Sequence, residues 1–313
     1  MHAPAFLRTQ RGAMVAMLIG ISVFSLQDPI IKSLSGAYPV TEAIGFRGLF
    51  AMPLFTLMVW RSGGLSLLWT KRPRALIGRG CLQMGSYTAY YLSLPALPLT
   101  TTVALWFTAP LFMVALSQAV LGERQGRQRW VAVGVGFAGV LVIVHPTTTG
   151  SWALLLPLAA AIFYAFGQLT VRRIGGGIPA PVISWHQNTV YLVGSILLAA
   201  ILMPLVQGYS GGGSLGFLLR PWTVPTLSDT LLLGACGPIA AVGSTLIVFA
   251  YRSAQPGAVG VFEYVMMLWA VLWGFLIFGE LPGPLTIIGA MLIVASGLYA
   301  ITRPPARDGA AAA

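Results

Sequence analysis

The sequence predicts an all-α polytopic membrane protein of ten transmembrane helices, arranged as two inverted repeats of five. Three observations predict it: composition, the number of apolar runs, and the placement of the basic residues. Of 313 residues, 57% are hydrophobic and 8% are charged, with a mean hydropathy of +0.84. A soluble domain carries roughly 25% charged residues. This chain could not cover a water-facing surface, which excludes an ordinary soluble enzyme. Disorder requires the opposite composition. The 37 Gly and 21 Pro follow no collagen-like period.

A helix that crosses the hydrocarbon core takes about 20 residues. Cutting the apolar runs at Pro, Gly and charge clusters gives spans over 12–34, 40–60, 74–94, 99–121, 129–145, 152–173, 181–205, 227–251, 257–278 and 283–302. The first follows the short basic segment MHAPAFLRTQR. It is too long for a signal peptide and no small-residue cleavage site closes it, so it reads as a retained span. Cys81 and Cys236 fall inside apolar runs and read as buried packing residues. Residues 303–313 read as a short disordered cytoplasmic tail.

The basic residues orient the spans. With the N-terminus inside, one set of loops carries 15 of the 18 Lys and Arg, Arg79 among them. The other side and the membrane interior hold Lys32, Arg47 and Arg220. This is the positive-inside pattern, with both termini cytoplasmic and the chain in the inner (plasma) membrane. The net charge of +11 is then a matter of topology, and nucleic acid is not expected as a partner.

The halves also repeat. At offset 140, Lys32 falls on Arg172, Pro39 on Pro179 and Arg47 on Gln187. At offset 158, Gly85-Ser86 falls on Gly243-Ser244, Pro98 on Pro256 and Gly139 on Gly297; Gly122-Glu123 meets Gly279-Glu280 at offset 157. The jump places an insertion at 206–226, read as a long loop through Gly211-Gly212-Gly213. Five spans per half is an odd number, so the second half runs inverted. Inverted repeats are a transporter architecture, with the substrate site at the midplane.

Three motifs carry a resemblance to a known family. They are Pro39-x-x-Glu42-x-x-x-x-Arg47, Ala109-Pro110-Leu111 with Gly122-Glu123-Arg124, and Gly279-Glu280. Together with the repeat they resemble the drug/metabolite transporter superfamily, specifically proteins of two five-helix EamA repeats. The resemblance covers about 12–302 and implies one repeat over 12–148 and a second over 149–302. It implies a small-solute carrier with no cofactor, acting as a monomer or homodimer in the lipid bilayer. The chain departs from the family at Phe262-Glu263-Tyr264, where small apolar residues are usual. That tyrosine, with Gln27-Asp28 and Lys32, is similar to a subgroup that includes S-adenosylmethionine uptake carriers.

Ionisable groups inside a span are functional candidates, because each is costly at the bilayer centre. Spacing sorts them into two layers. The outer holds Asp28, Arg47 and Trp106; the inner holds Gln168, His186, Gln187 and Glu263. Asp28 precedes Pro29, with Lys32 four residues on. It is either a helix cap neutralised by that lysine or a carboxylate facing a cavity. Arg47 either pairs with Glu42 or Asp28, or binds a substrate carboxylate. Glu263 has no basic residue within one turn. It is read as a proton-coupling carboxyl with His186 as partner, or as a carboxyl satisfied by a neighbouring helix. Tyr87, Tyr90, Tyr91, Trp106, Tyr164, Trp185 and Tyr264 suggest, as a set, an aromatic cavity for a ring or a cationic head.

Gly134-x-Gly136-x-x-Gly139 matches a dinucleotide fingerprint but lies within a span with no preceding strand, so close helix packing is expected. There is no Walker motif or metal-ligand spacing in the sequence. The expected function is secondary transport of small organic solutes such as amino acids, by proton coupling or exchange. A channel or flippase and a membrane-embedded enzyme are the rival classes.

Overall fold

The computed structural model describes residues 10–122, 126–144, 151–174, 178–206, 211–253 and 261–302. Every regular element among them is helical. In chain order they are α1 (Gln10–Phe24), α2 (Gln27–Leu34), α3 (Val40–Arg61), α4 (Pro73–Ser93), α5 (Leu99–Trp106) and α6 (Ala109–Leu121). Then come α7 (Arg127–Val144), α8 (Leu155–Ile174), α9 (Ala180–Val206) and α10 (Gly213–Leu219). The last are α11 (Leu227–Ser253), α12 (Val265–Phe278) and α13 (Pro284–Thr302). The tail expected over 303–313 lies outside the described residues, as do Glu123 and Arg124.

The protein is a polytopic helical membrane protein. Among the described residues, seven segments are long and apolar enough to cross a bilayer, against the ten expected. Two further apolar helices, Phe262–Phe278 and Pro284–Tyr299, are shorter than that criterion. The remaining expected span, 74–94, is α4, which has 21 residues but carries Arg74, Arg79 and Gln83. Its polar content has a reason: part of α4 lines an internal cavity.

Two of the spans are broken. α1 stops at Phe24 and α2 starts at Gln27. Pro29 has no N–H to give the carbonyl four residues back, that of Ser25. Asp28 is not the expected cap; Leu26 holds the N-cap position without a side-chain bond, and Asp28 sits inside the first turn. α5 and α6 are separated in the same way at Phe107 and Thr108, with Pro110 just beyond. A single 3₁₀ turn, Val261–Tyr264, leads into α12. Trp269 and Trp273 of α12 donate indole N–H bonds to Ser22 and Ser25 Oγ at 3.0 and 3.1 Å, fixing α12 against the first break.

Helices pair across the chain: α1 with α11, α4 with α8, α3 with α9, α3 with α11, α4 with α9, α5 with α12, and α7 with α13. The last pair explains the glycine triplet. A Cβ on Gly139 would stand 2.7 Å from the Gly289 carbonyl oxygen, so α7 and α13 meet backbone to backbone. Cys236 is buried as expected, but Cys81 is exposed, because α4 turns that face outward.

The insertion is not a bare loop. It forms α10 and an extended strap tied to the helix ends. Arg220 donates to the Ser35 carbonyl at 2.7 Å, Trp222 to Thr41 Oγ1 at 2.8 Å, and the Thr223 N–H to Glu42 Oε2 at 3.2 Å. At the same end of the molecule Lys32 Nζ meets Glu280 Oε1 at 2.5 Å and the Leu97 carbonyl at 2.9 Å. Glu280 Oε2 accepts from the Leu99 N–H at 3.0 Å. Lys32 therefore pairs across the chain, and not with Asp28 four residues earlier.

Candidate functional site

Between the broken helices lies a cavity of about 260 Å³. Its charged lining comprises Asp28, Arg47, Arg79 and Glu263, and its rings include Tyr87, Tyr90, Trp106, Tyr164 and Tyr191. Gln168, Gln187, Gln83 and Asn188 complete the polar wall. All members of the two layers expected from spacing except His186 line this one space.

Arg47 enters from α3 and is 6% exposed. Its Nε donates to Gln27 Oε1 at 2.8 Å. Its guanidinium carbon lies 4.3 Å from the Tyr87 ring centre and 5.3 Å from that of Tyr191. No carboxylate reaches it within ion-pair distance among the described residues, so the expected pairing with Glu42 or Asp28 is absent. The cation is held by a side-chain amide and by aromatic faces, which suit a delocalised guanidinium. Gln27 Oε1 also accepts from the Tyr87 hydroxyl at 2.9 Å, and the Tyr87 and Tyr91 hydroxyls are bonded to each other.

Asp28 faces the cavity and accepts from the Tyr90 hydroxyl at 2.7 Å. Beyond Tyr90 the rings continue edge to face: Tyr90 to Trp106 at 6.3 Å and Trp106 to Tyr164 at 5.1 Å. Gln187, on α9, accepts from Arg79 at 2.5 Å and donates to the Tyr191 hydroxyl at 2.9 Å.

Of the predicted site residues, Asp28, Arg47, Tyr87, Tyr90, Trp106, Tyr164, Gln168, Gln187 and Glu263 line the cavity. Four do not. Tyr91 is fully buried behind Tyr87. Tyr264 packs on Phe107 at 4.9 Å, behind the wall. His186 and Trp185 stand off the cavity with their rings against each other, His186 Nδ1 lying 2.9 Å from the Val182 carbonyl. The structure thus does not bring His186 into the cavity with Glu263; the cations that share the cavity with Glu263 are Arg47 and Arg79. Sequence reasoning missed Arg79, Gln83, Asn188 and Tyr191. Arg79 and Gln83 stand four apart on α4, a one-face spacing already present in the 74–94 span, although Arg79 was counted with the loop charges.

Residues 11–145 match the EamA-like transporter family. Over 95% of the chain and 93% of the relative, it is 29% identical to a riboflavin transporter of Rhizobium johnstonii. It is 27% identical to a pseudopaline exporter of Pseudomonas aeruginosa, over 90% of this chain and 93% of the exporter. It is 25% identical to an S-adenosylmethionine uptake transporter of Rickettsia prowazekii, over 94% of each. By these matches the chain is similar to EamA-like transporters of the drug/metabolite transporter superfamily. These relatives are named transporters and not enzymes. A solved crystal structure shares the fold of this chain with a TM-score of 0.61, at 19% identity, over 93% of this chain and 97% of the other.

Proposed function

We propose that this protein is an EamA-type secondary carrier that binds a small organic solute in the central cavity and exposes it alternately to the two sides. One observation carries the reading: charged and aromatic side chains from both halves of the chain converge on one cavity bounded by interrupted helices. Interrupted helices at such a site are the mark of secondary transporters.

Ten spans in two inverted repeats, 12–148 and 149–302, fit the helix pairing. Exchanging the halves maps the α1–α11 pair onto α8–α4 and the α3–α11 pair onto α9–α4. It returns α3–α9, α5–α12 and α7–α13 to themselves. In this reading the membrane is the inner membrane, both termini are cytoplasmic, and the end clasped by Lys32 and Glu280 faces outward. The substrate meets Asp28, Arg47, Tyr87, Trp106, Tyr164, Gln168 and Gln187. Tyr91 and Tyr264 support the wall, and Glu263 couples transport to protons. An S-adenosylmethionine-type uptake carrier is the alternative, favoured by the 25% identical relative of that name.

Counterflow in proteoliposomes tests the reading. Vesicles preloaded with one unlabelled solute from a panel of amino acids, riboflavin and S-adenosylmethionine should transiently accumulate the labelled form. A channel would only equilibrate the label, and that result would remove the carrier reading.

A further inference from the structure

We infer that the connection between α3 and α4 is a docking site for an anionic phospholipid, with basic side chains on the head group and indoles against the acyl chains. The inference stands apart from the carrier reading and needs only that the chain spans a bilayer.

The connection begins where α3 ends, at Arg61, and runs to Pro73 at the start of α4. The other end of α3 is tied to the strap through Thr41 and Glu42. The 22 residues of α3 span about 33 Å, close to the thickness of a hydrocarbon core. The connection therefore lies at head-group depth, at the opposite end from the strap. Its backbone is ordered by its own bonds. Gly63 and Gly64, at φ of 142° and 98°, turn the chain back, and the Gly64 N–H donates to the Trp60 carbonyl at 2.9 Å. A 3₁₀ turn, Leu65–Leu68, follows and packs on α3. The Trp69 N–H then donates to the Ser66 carbonyl at 3.1 Å, and the Arg72 N–H to Thr70 Oγ1 at 3.2 Å.

Two features of its surface point to lipid. The first is apolar: Trp69 is 92% exposed and Trp60 61%, with Leu65 at 46%. Bare indoles belong at the boundary between head groups and acyl chains. The second is charge. Arg61, Lys71, Arg72 and Arg74 are all exposed, and the sequence has no Asp or Glu between Glu42 and Glu123. Among the described residues, Asp28 and Glu263 line the cavity, while Glu42, Asp229 and Glu280 serve the strap and the clasp. A second copy of this chain therefore presents no acidic patch from its described residues to match the cluster. Orientation alone makes a loop basic. It does not set bare indoles beside the cations on a fixed backbone. Lys and Arg bond phosphate, Arg through a fork, and each cation at an anionic surface adds to the attraction. Because α4 starts directly from this site, a lipid held here anchors a helix that lines the cavity.

Native mass spectrometry tests the assignment, with the full-length protein in detergent offered equimolar dioleoylphosphatidylglycerol and dioleoylphosphatidylcholine. The glycerol lipid should be retained roughly 30-fold or more over the choline lipid, and the double change Lys71→Gln and Arg74→Gln should lower that preference roughly 10- to 30-fold. Arg11→Gln with Arg127→Gln removes the same charge at exposed positions elsewhere and should leave the preference largely unchanged. Trp69→Ala should lower retention of both lipids and leave the preference between them. Equal retention of the two lipids by the unmodified protein overturns the assignment without need of any variant. An equal loss in the Arg11 and Arg127 variant also overturns it, by making the attraction a property of a whole basic face. Full retention by Trp69→Ala would leave a phosphate site without a lipid seat. A dimer that the Lys71 and Arg74 change dissolves, with lipid retention unaltered, would give the surface to a second copy.

Discussion

Arg47 shows how much a single side chain could disclose before its partners were known. A lone cation at membrane depth pointed to a pairing or a ligand. The partners found, Gln27 and the faces of Tyr87 and Tyr191, come from α2, α4 and α9, and no local spacing announces them. Arg47→Lys would keep the charge and lose the flat fork, at a cost of about 1–2 kcal/mol of stability. Lowered thermal stability in detergent, with weakened transport of a carboxylate-bearing solute, is the expected outcome; unchanged transport would limit Arg47 to holding α2 and α3 together. Glu263 carries a second prediction. It shares the cavity with Asp28, Arg47, Arg79 and Tyr164. If it takes up and releases a proton as the cavity opens to water, Glu263→Gln should retain exchange and abolish accumulation driven by a pH gradient. Accumulation with an unchanged pH profile would move the coupling group to Asp28. Arg79 escaped notice because it was counted with the loop charges although the 74–94 span already contained it. It stands six residues inside α4, and only the fold turns it inward.

Elements were legible where hydropathy is high and punctuated. Pro29 marks the first break, but both broken spans were drawn continuous, and Pro110 was read only as part of a motif. The apolar run of α12 was clear, but the 3₁₀ turn ahead of it was not, because Phe262-Glu263-Tyr264 has no breaker residue. The insertion was placed correctly but read as a loop. Its attachment depends on Arg220 and Trp222 reaching α2 and α3, contacts far apart in sequence. The Lys32–Glu280 clasp joins α2, the start of α5 and the end of α12. Glu280→Gln would keep an acceptor for the Leu99 N–H and leave a mostly buried ammonium without its counter-charge, a loss of about 1–3 kcal/mol at that end. With Cys81 and Cys236 replaced by serine, a cysteine placed at Val103 on the cavity wall should react several-fold faster with an impermeant maleimide in the Glu280→Gln protein. An unchanged rate would show that opening at this end does not require the clasp to part.

For the whole molecule, the basic residues carry an argument that no single helix can. Moving Arg79 from the loops to the interior leaves 14 of 18 Lys and Arg on the side assigned to the cytoplasm, and the asymmetry survives. An error of one in the number of spans would have placed clusters such as Lys71-Arg72 and Arg127-Arg129 on opposite sides. The short helices near the C-terminus, where apolar length alone falls below a full span, are the point at which such an error would enter. Two glycines test it directly. Gly212 precedes α10 at the end tied by the strap, and Gly126 precedes α7 beside the basic cluster. In a background without Cys81 and Cys236, Gly212→Cys in intact cells should react with an impermeant thiol reagent added outside, and Gly126→Cys should react only after the membrane is permeabilised. Labelling of position 126 in intact cells would invert the orientation. The Lys32–Glu280 clasp would then close the cytoplasmic end of the cavity, and the Arg79 wall would face the opposite compartment.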